Sequence, residues 1–323
     1  MRVLISVVLL AILFSFKQVD VPGLINEVKK ADKAFLALSF LVFLLIYILG
    51  LLRWQMLLRA IKVKLPLKRV VTSFSGGLFF SLFLPSSIGG DVARSIDLSR
   101  HTQKPKEIVA TVLLDRLSGY VGLVIVVLIA MVPGYSMVGK DPVVLVSIGL
   151  IIAMLALILL VLFNRFAYNK IVKLLRKPSA GKIRTALNSL LQEIHYFRRH
   201  KMVMFYNLLL SVVIQILGPA VFYMTSLAIG TPKINPVYFF IFGPIISAIT
   251  LLPISLGGFG LRENTAVIFF AKAGLNGNSA AAIAFLNSIF IFIAGAIGGL
   301  IYVFTVHHRR PQHGKAPGVQ PGA

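Results

Sequence analysis

The sequence contains no cysteine, one tryptophan and only 10 Asp plus Glu among its 323 residues. Without Cys there is no disulfide framework, no thiolate metal site and no Cys nucleophile, and the redox compartment leaves no mark. The six His (His101, His195, His200, His307, His308 and His313) fall in connecting segments or the tail, where a buried zinc site is hard to assemble. No Asp-Asp-x-x-Asp run, nucleotide-binding loop or nucleophile motif is present. No metal and no cofactor is therefore expected. Charge is scarce as well, since 13% of residues are charged against roughly a quarter in an ordinary soluble domain.

What is abundant is apolar. Hydrophobic residues make up 58% of the chain and the mean hydropathy is +0.90, values that point to lipid as the solvent. The 33 Lys plus Arg give a formal charge of +23, packed into short segments between apolar stretches. Such an excess suggests an anionic membrane face or anionic lipid head groups, and membrane lipids rather than nucleic acid are the expected partners.

Five apolar stretches come close to or exceed the roughly 20 residues of a transmembrane helix: Ala34 to Leu52, Ile108 to Val132, Val143 to Phe163, Met202 to Ile229 and Ala280 to Phe304. Val3 to Phe16 is shorter and follows Arg2. It lacks a small-x-small cleavage site in Ser15-Phe16-Lys17-Gln18, so it is taken as an uncleaved first span rather than a signal peptide. Val70 to Ile88 and Val237 to Leu256 are interrupted by Gly and Pro (Ser75-Gly76-Gly77, Pro85, Gly89-Gly90; Gly243-Pro244, Pro253, Gly257-Gly258). Such breaks free backbone groups that lipid cannot satisfy, so these segments are expected to line protein or a cavity.

Charge parity orders the spans. Residues 53–69 carry six basic residues and no acid, and residues 164–201 carry ten with one acid, which places both loops in the cytoplasm. Three apolar segments separate them, so one does not cross. The interrupted one is read as a re-entrant hairpin from inside. The tail with Arg309, Arg310 and Lys315 is likewise inside, so the second interrupted segment enters from outside. Only seven basic residues fall on the outer side: Lys17, Lys29, Lys30, Lys33, Lys140, Lys233 and Lys272.

The two hairpins share a pattern. Leu84-Pro85-Ser86-Ser87-Ile88-Gly89-Gly90-Asp91-Val92-Ala93-Arg94 aligns without gaps on Leu252-Pro253-Ile254-Ser255-Leu256-Gly257-Gly258-Phe259-Gly260-Leu261-Arg262 as L-P-x-S-x-G-G-x-x-x-R, with six fixed positions in eleven. Each copy is preceded by two spans and followed by one, so the chain reads as two repeats of inverted topology joined near Pro133 to Pro142. The expected fold is an all-α integral membrane protein with six full transmembrane helices and two re-entrant hairpins. Residues 1–137 form the first repeat and 138–306 the second, with a basic cytoplasmic loop at 164–201 and a disordered tail at 307–323. Both termini are expected in the cytoplasm and the protein in the cell membrane. Within the loop, Ile183, Leu187, Leu190, Leu191 and Ile194 recur at helical spacing and suggest an interfacial helix.

Paired glycines let a second backbone or a head group approach, and a helix restarting just after them aims free N–H groups at an anion. Arg94 and Arg262, each four residues past the pair, are expected one turn into such a helix, placed to fork a phosphate. The alternative is neutralisation by Asp91 or Glu263. Asp115-Arg116 lies inside an apolar span, where ionisable side chains are costly, face the protein interior and mark a pathway; an ion pair to the first hairpin is the structural alternative. Arg53-Trp54 reads as an interfacial anchor. The candidate substrate-binding set is Ser87, Gly89, Gly90, Asp91, Arg94, Asp115, Arg116, Ser255, Gly257, Gly258, Arg262 and Glu263.

On Leu84-Pro85 through Gly89-Gly90-Asp91 and Arg94, on Leu114-Asp115-Arg116, and on Pro253 through Gly257-Gly258 to Arg262-Glu263, the chain resembles the flippase-like transmembrane domain, also called the lysylphosphatidylglycerol synthase transmembrane region. That resemblance implies lipid handling: translocation of aminoacylated phosphatidylglycerol in the multiple peptide resistance factors, and of other phospholipids or polyprenyl-phosphate-linked sugars in stand-alone members. No soluble synthase-like domain follows Phe304, so aminoacyl transfer is not expected here. A translocator of an anionic lipid is the resulting reading, with no catalytic residues. An integral membrane transferase or hydrolase acting on a lipid-linked phosphate, using Asp91, Asp115 or Glu263, is the alternative.

Overall fold

The computed structural model describes residues 2–15, 19–63, 65–84, 86–102, 104–163, 200–231, 234–252 and 254–307. The proposed interfacial helix within 181–195 and the tail from 308 onward lie outside these residues. Among them the chain forms eleven helices: α1 (Arg2–Ser15), α2 (Val21–Lys30), α3 (Lys33–Ala60), α4 (Leu67–Phe83), α5 (Ser86–Thr102), α6 (Pro105–Val138), α7 (Pro142–Phe163), α8 (Lys201–Ala228), α9 (Val237–Thr250), α10 (Leu261–Ala271) and α11 (Gly277–His307). Five of these, α3, α6, α7, α8 and α11, are long and apolar enough to cross a membrane, and they coincide with the five long apolar stretches. Exposed Leu41, Ile129, Leu150, Leu209 and Phe304 stud the outer surface, an arrangement stable in lipid and not in water. This is a multi-pass all-helical membrane protein.

α1 has 14 residues. At 1.5 Å per residue it reaches about 21 Å, short of a hydrocarbon core of about 30 Å.

Helix ends follow local chemistry. Asp32 accepts from the N–H groups of Ala34 and Phe35 to start α3, and Asp141 accepts from Val143 and Val144 at the start of α7. Proline lies inside α6 (Pro133), α8 (Pro219) and α9 (Pro244); Pro219 and Pro244 are buried among neighbouring helices, where packed protein tolerates the break. Glycines 76, 77 and 243, expected to interrupt their segments, do not: α4 and α9 run through them. α6 continues through Pro133 to Val138, and the turn into α7 falls at 139–141.

One end of the bundle is tied together by polar contacts. Asn278 at the start of α11 donates to Asp20, the backbone N–H of Asp32 donates to the Ala228 carbonyl, and Lys272 pairs with Asp141. The segments 19–32, 139–141, 228–231 and 272–278 therefore share one face. Chain order then makes α4 and α5 a hairpin that begins and returns at the opposite end, and α9 and α10 a hairpin that begins and returns at this one. α4 packs against α5 and α11, α9 against α10 and α6, and α3 against α8. The seam of α4 with α11 is built on small residues. A Cβ at Gly298 would lie 2.7 Å from the Ser75 carbonyl oxygen, and one at Gly76 2.5 Å from the Tyr302 ring, so neither helix could approach as closely with larger residues there.

Candidate functional site

The site lies where the two hairpins meet α3, α6 and α11. A cavity of about 330 Å³ is lined by four arginines, Arg53, Arg94, Arg116 and Arg262, and by two aspartates, Asp91 and Asp115. Four guanidinium groups against two carboxylates leave an excess of two positive charges.

Five of the six charges form an alternating ladder. Arg53 Nε donates to Asp115 Oδ1 at 2.7 Å; Asp115 Oδ2 accepts from Arg94 Nη2 at 3.0 Å. Arg94 also pairs with Asp91 Oδ1 at 2.9 Å, and Asp91 Oδ2 accepts from Arg116 Nε at 2.5 Å. The ladder joins α3, α5 and α6. Burial of an ion costs several kcal/mol unless partners and hydrogen bonds replace water, so an alternating chain is what lets three arginines sit at this depth. Arg94 is held further by aromatic faces, its guanidinium carbon lying 4.6 Å from the Trp54 ring centre and 5.5 Å from that of Phe74. Trp54 is fully buried, and its indole N–H donates to Thr111 at 3.1 Å. Arg53 reaches across to α8, donating through Nη1 to Ser211 at 2.9 Å.

Arg262 is held differently. Its Nη1 donates to Ser288 at 2.9 Å and its Nη2 to the Gly257 carbonyl at 3.4 Å, and among the described residues no carboxylate lies within 4.0 Å of it. Glu263 does not neutralise it. That side chain is fully buried, with one oxygen accepting from the Gly260 N–H at 2.6 Å to cap α10 and the other from Ser288. The remaining donors of Arg262 face a cavity whose unbalanced positive charge is partly its own.

Of the twelve residues expected at the site, Gly90, Asp91, Arg94, Asp115, Arg116, Gly257 and Arg262 line this cavity together. Gly89, Gly258, Ser255 and Glu263 stand behind it, and the side chain of Ser87 lies outside the described residues. Ser255 is fully buried, with its hydroxyl lacking a partner among the described residues. One expectation fails for the first hairpin: α5 starts at Ser86, so Gly89-Gly90 lie inside the helix and Arg94 is two turns in, with no free helix N-terminus after the glycine pair. Gly90 instead brings α5 onto α4, since a Cβ there would stand 2.2 Å from the Gly77 carbonyl oxygen. In the second hairpin the expectation holds. Gly257 and Gly258 adopt φ of 56° and 81° in a loop, and α10 begins at Leu261 with Arg262 in its first turn.

Arg53-Trp54 is a second correction. The pair is no interfacial anchor but a buried part of the ladder, at 8% and 0% exposure. The signal that could have found it is an Arg three-quarters of the way along a largely apolar 28-residue helix, six residues before the next cation, the same kind of signal that singled out Asp115. Tyr47, also on the cavity wall, carries no such mark.

The sequence matches the family described as the lysylphosphatidylglycerol synthase TM region over residues 1–299. A UPF0104 membrane protein of Methanothermobacter thermautotrophicus is 24% identical over 291 residues, which cover 84% of this chain and 85% of the relative. With a match that runs through both hairpins and every residue of the charged cavity, the chain belongs to the lysylphosphatidylglycerol synthase transmembrane-region family.

Proposed function

We propose that this chain is a flippase-like translocator that moves an anionic lipid, a phospholipid or a polyprenyl-phosphate-linked lipid, between leaflets. The observation that carries the reading is the cavity where the two hairpins meet, with its surplus of two positive charges and its arginine from each hairpin. A phosphate cannot cross bare hydrocarbon, because an unpaired buried charge costs many kcal/mol. Guanidinium groups that fork its oxygens replace the lost hydration, and the hydrocarbon tail needs no such help.

In this reading the two hairpins belong to inverted repeats, residues 1–137 and 138–306. Support comes from the packing of α4 on α11 and of α9 on α6, the exchange that a two-fold axis between repeats would produce. The short α1 completes six crossings in a locally thinned bilayer, with both termini in the cytoplasm of a cell-membrane protein. Because the chain has no Cys, single cysteines report this cleanly. One placed at Lys140 reacts with an impermeant reagent from outside and one at Lys182 does not; the reverse pattern contradicts the topology.

The function is tested in proteoliposomes holding a labelled anionic lipid in one leaflet. Appearance of the unmodified lipid in the other leaflet supports translocation. A chemically altered product points to an enzyme acting on a lipid-linked phosphate, and no movement in either form overturns both.

A further inference from the structure

Beside the charged cavity lies a second chamber of about 190 Å³, and the two share Leu82, Gly257, Arg262 and Ile291 on their walls. Its character is different. Apart from Arg262 and the hydroxyls of Ser6 and Ser288, the lining side chains are apolar, among them Leu10 of α1, Leu256 and Phe259 of the hairpin loop, and Phe292 of α11. Both hydroxyls are already engaged: Ser6 accepts from the Leu256 N–H at 3.0 Å, and Ser288 bonds Arg262 and Glu263. Among the described residues, its only charge is the guanidinium it shares with the cavity next door.

Two of its lining residues, Val7 on α1 and Phe292 on α11, are 56% and 45% exposed on the apolar outer surface. The wall behind is firm. Phe259 stands edge-on to Phe292 and Phe285, with ring centres 5.8 and 6.1 Å away, and Asn264 donates to the Leu9 carbonyl at 2.7 Å, fixing α1 to the second hairpin.

Resting on the anion-site reading above, we infer that this chamber receives the hydrocarbon chain of the lipid whose phosphate sits against Arg262. The bound molecule then bends at Arg262, with its phosphate among the four arginines and the first stretch of its chain between α1 and α11. Entry is lateral, from the bilayer, past Val7 and Phe292. The short α1 acquires a role on this account as the outer wall of the tail chamber. The chemistry required is a phosphate joined to a hydrocarbon chain, which a phospholipid and a polyprenyl phosphate both supply. For a chain that enters from the bilayer, the advantage of the chamber over lipid is one of fit.

The test compares purified protein with four probes: dioleoyl phosphatidylglycerol, its short water-soluble dibutyryl form, undecaprenyl phosphate and dimethylallyl phosphate. Affinity is read by ligand-induced thermal stabilisation in detergent. Leu10→Trp fills the chamber, Val7→Trp blocks its mouth, and Leu4→Trp is a control on an exposed residue of the same helix that does not line the chamber. Both chamber variants are expected to weaken at least one long-chain probe tenfold or more while leaving its short counterpart within twofold, and Leu4→Trp is expected to change neither. Whichever long-chain probe shows the gap identifies the source of the phosphate. The inference is overturned if both chamber variants bind the long-chain probes as the parent does, if short and long probes weaken together, or if the parent does not prefer either long chain. Arg262→Gln separates this from the anion site: it should weaken all the probes that the parent binds, and if it weakens none, the phosphate reading itself fails.

Discussion

In the first hairpin the L-P-x-S-x-G-G-x-x-x-R pattern is read out as a contact: Gly90 sits inside α5, its Cα pressed to the Gly77 backbone, and Arg94 is bound by Asp91 and Asp115. In the second the same pattern is read out as a turn. Gly257 and Gly258 take positive φ, α10 starts after them, and Arg262 has a serine and a carbonyl where Arg94 has two carboxylates. The difference teaches that a repeated motif can divide its labour: one copy holds the fold at the charged cavity together and the other leaves a cation available to a ligand. The residue at the first position of the pattern's x-x-x stretch marks the difference, since Asp91 follows the first glycine pair and Phe259 the second.

Removing a carboxylate from the ladder should have the largest effect. Asp115→Ala leaves Arg53 and Arg94 buried without a shared partner, and removal of one member of a buried ion pair costs about 3–5 kcal/mol. A marked fall in the unfolding midpoint in detergent is expected; an unchanged midpoint would show that the ladder is not what stabilises this half.

The glycines come next, and they break the comparison most directly. Gly90→Ala puts a methyl 2.2 Å from a backbone oxygen of α4, so the helices must separate at about 1–3 kcal/mol, and no companion side-chain change can relieve it. Gly258→Ala meets the Thr250 methyl at 2.2 Å and a φ of 81°, costing about 1–2 kcal/mol in backbone strain alone. Thr250→Ser removes that methyl and should recover part of the loss. A double-mutant cycle showing no recovery would place the cost wholly in the backbone.

A smaller loss is expected for Trp54→Phe, which keeps an aromatic face under Arg94 but gives up the bond to Thr111, at about 1 kcal/mol. Equal stability of Trp54→Phe and Trp54→Leu would show that the ring face contributes nothing.

The smallest effect lies outside the membrane, at the contact of Asp141 with Lys272. The hydrogen bond from Lys272 holds the Asp141 carboxyl below its ordinary value, helped by the N–H groups of Val144 and Val143. A carboxyl lowered in the folded state contributes stability above its unfolded value and loses it as pH falls through the folded one. The pair is partly exposed, so less than about 1 kcal/mol is expected. Asp141→Asn should flatten the acid side of the stability profile slightly, as thermal melts between neutral and acid pH would show.

Much of this was legible beforehand because lipid enforces simple rules. The five long helices follow from apolar length, and the shared end of 19–32, 139–141 and 272–278 agrees with the sparse basic residues there. Asp115 and Arg116 were visible as charges in apolar sequence. Arg53 was equally visible but sat beside a tryptophan, and Arg-Trp at a helix end has an ordinary interfacial meaning. What sequence could not convey is which of two identical glycine pairs would turn and which would pack. Local propensity is the same in both, and the outcome depends on Gly77 standing opposite one pair and Thr250 opposite the other. The smaller apolar chamber was invisible for a similar reason, since its walls come from α1, α4, α11 and the second hairpin loop, which are far apart in sequence.

The central claim is that the cavity binds a lipid phosphate through Arg262, the cavity arginine with no carboxylate partner among the described residues. Its most direct test is the translocation rate of a labelled anionic lipid in proteoliposomes for Arg262→Lys against the parent, with unfolding midpoints measured on the same preparations. Lys keeps the charge and loses the planar fork, so the rate should fall tenfold or more at an unchanged midpoint. Translocation at the parental rate by a folded Arg262→Lys protein would contradict the account.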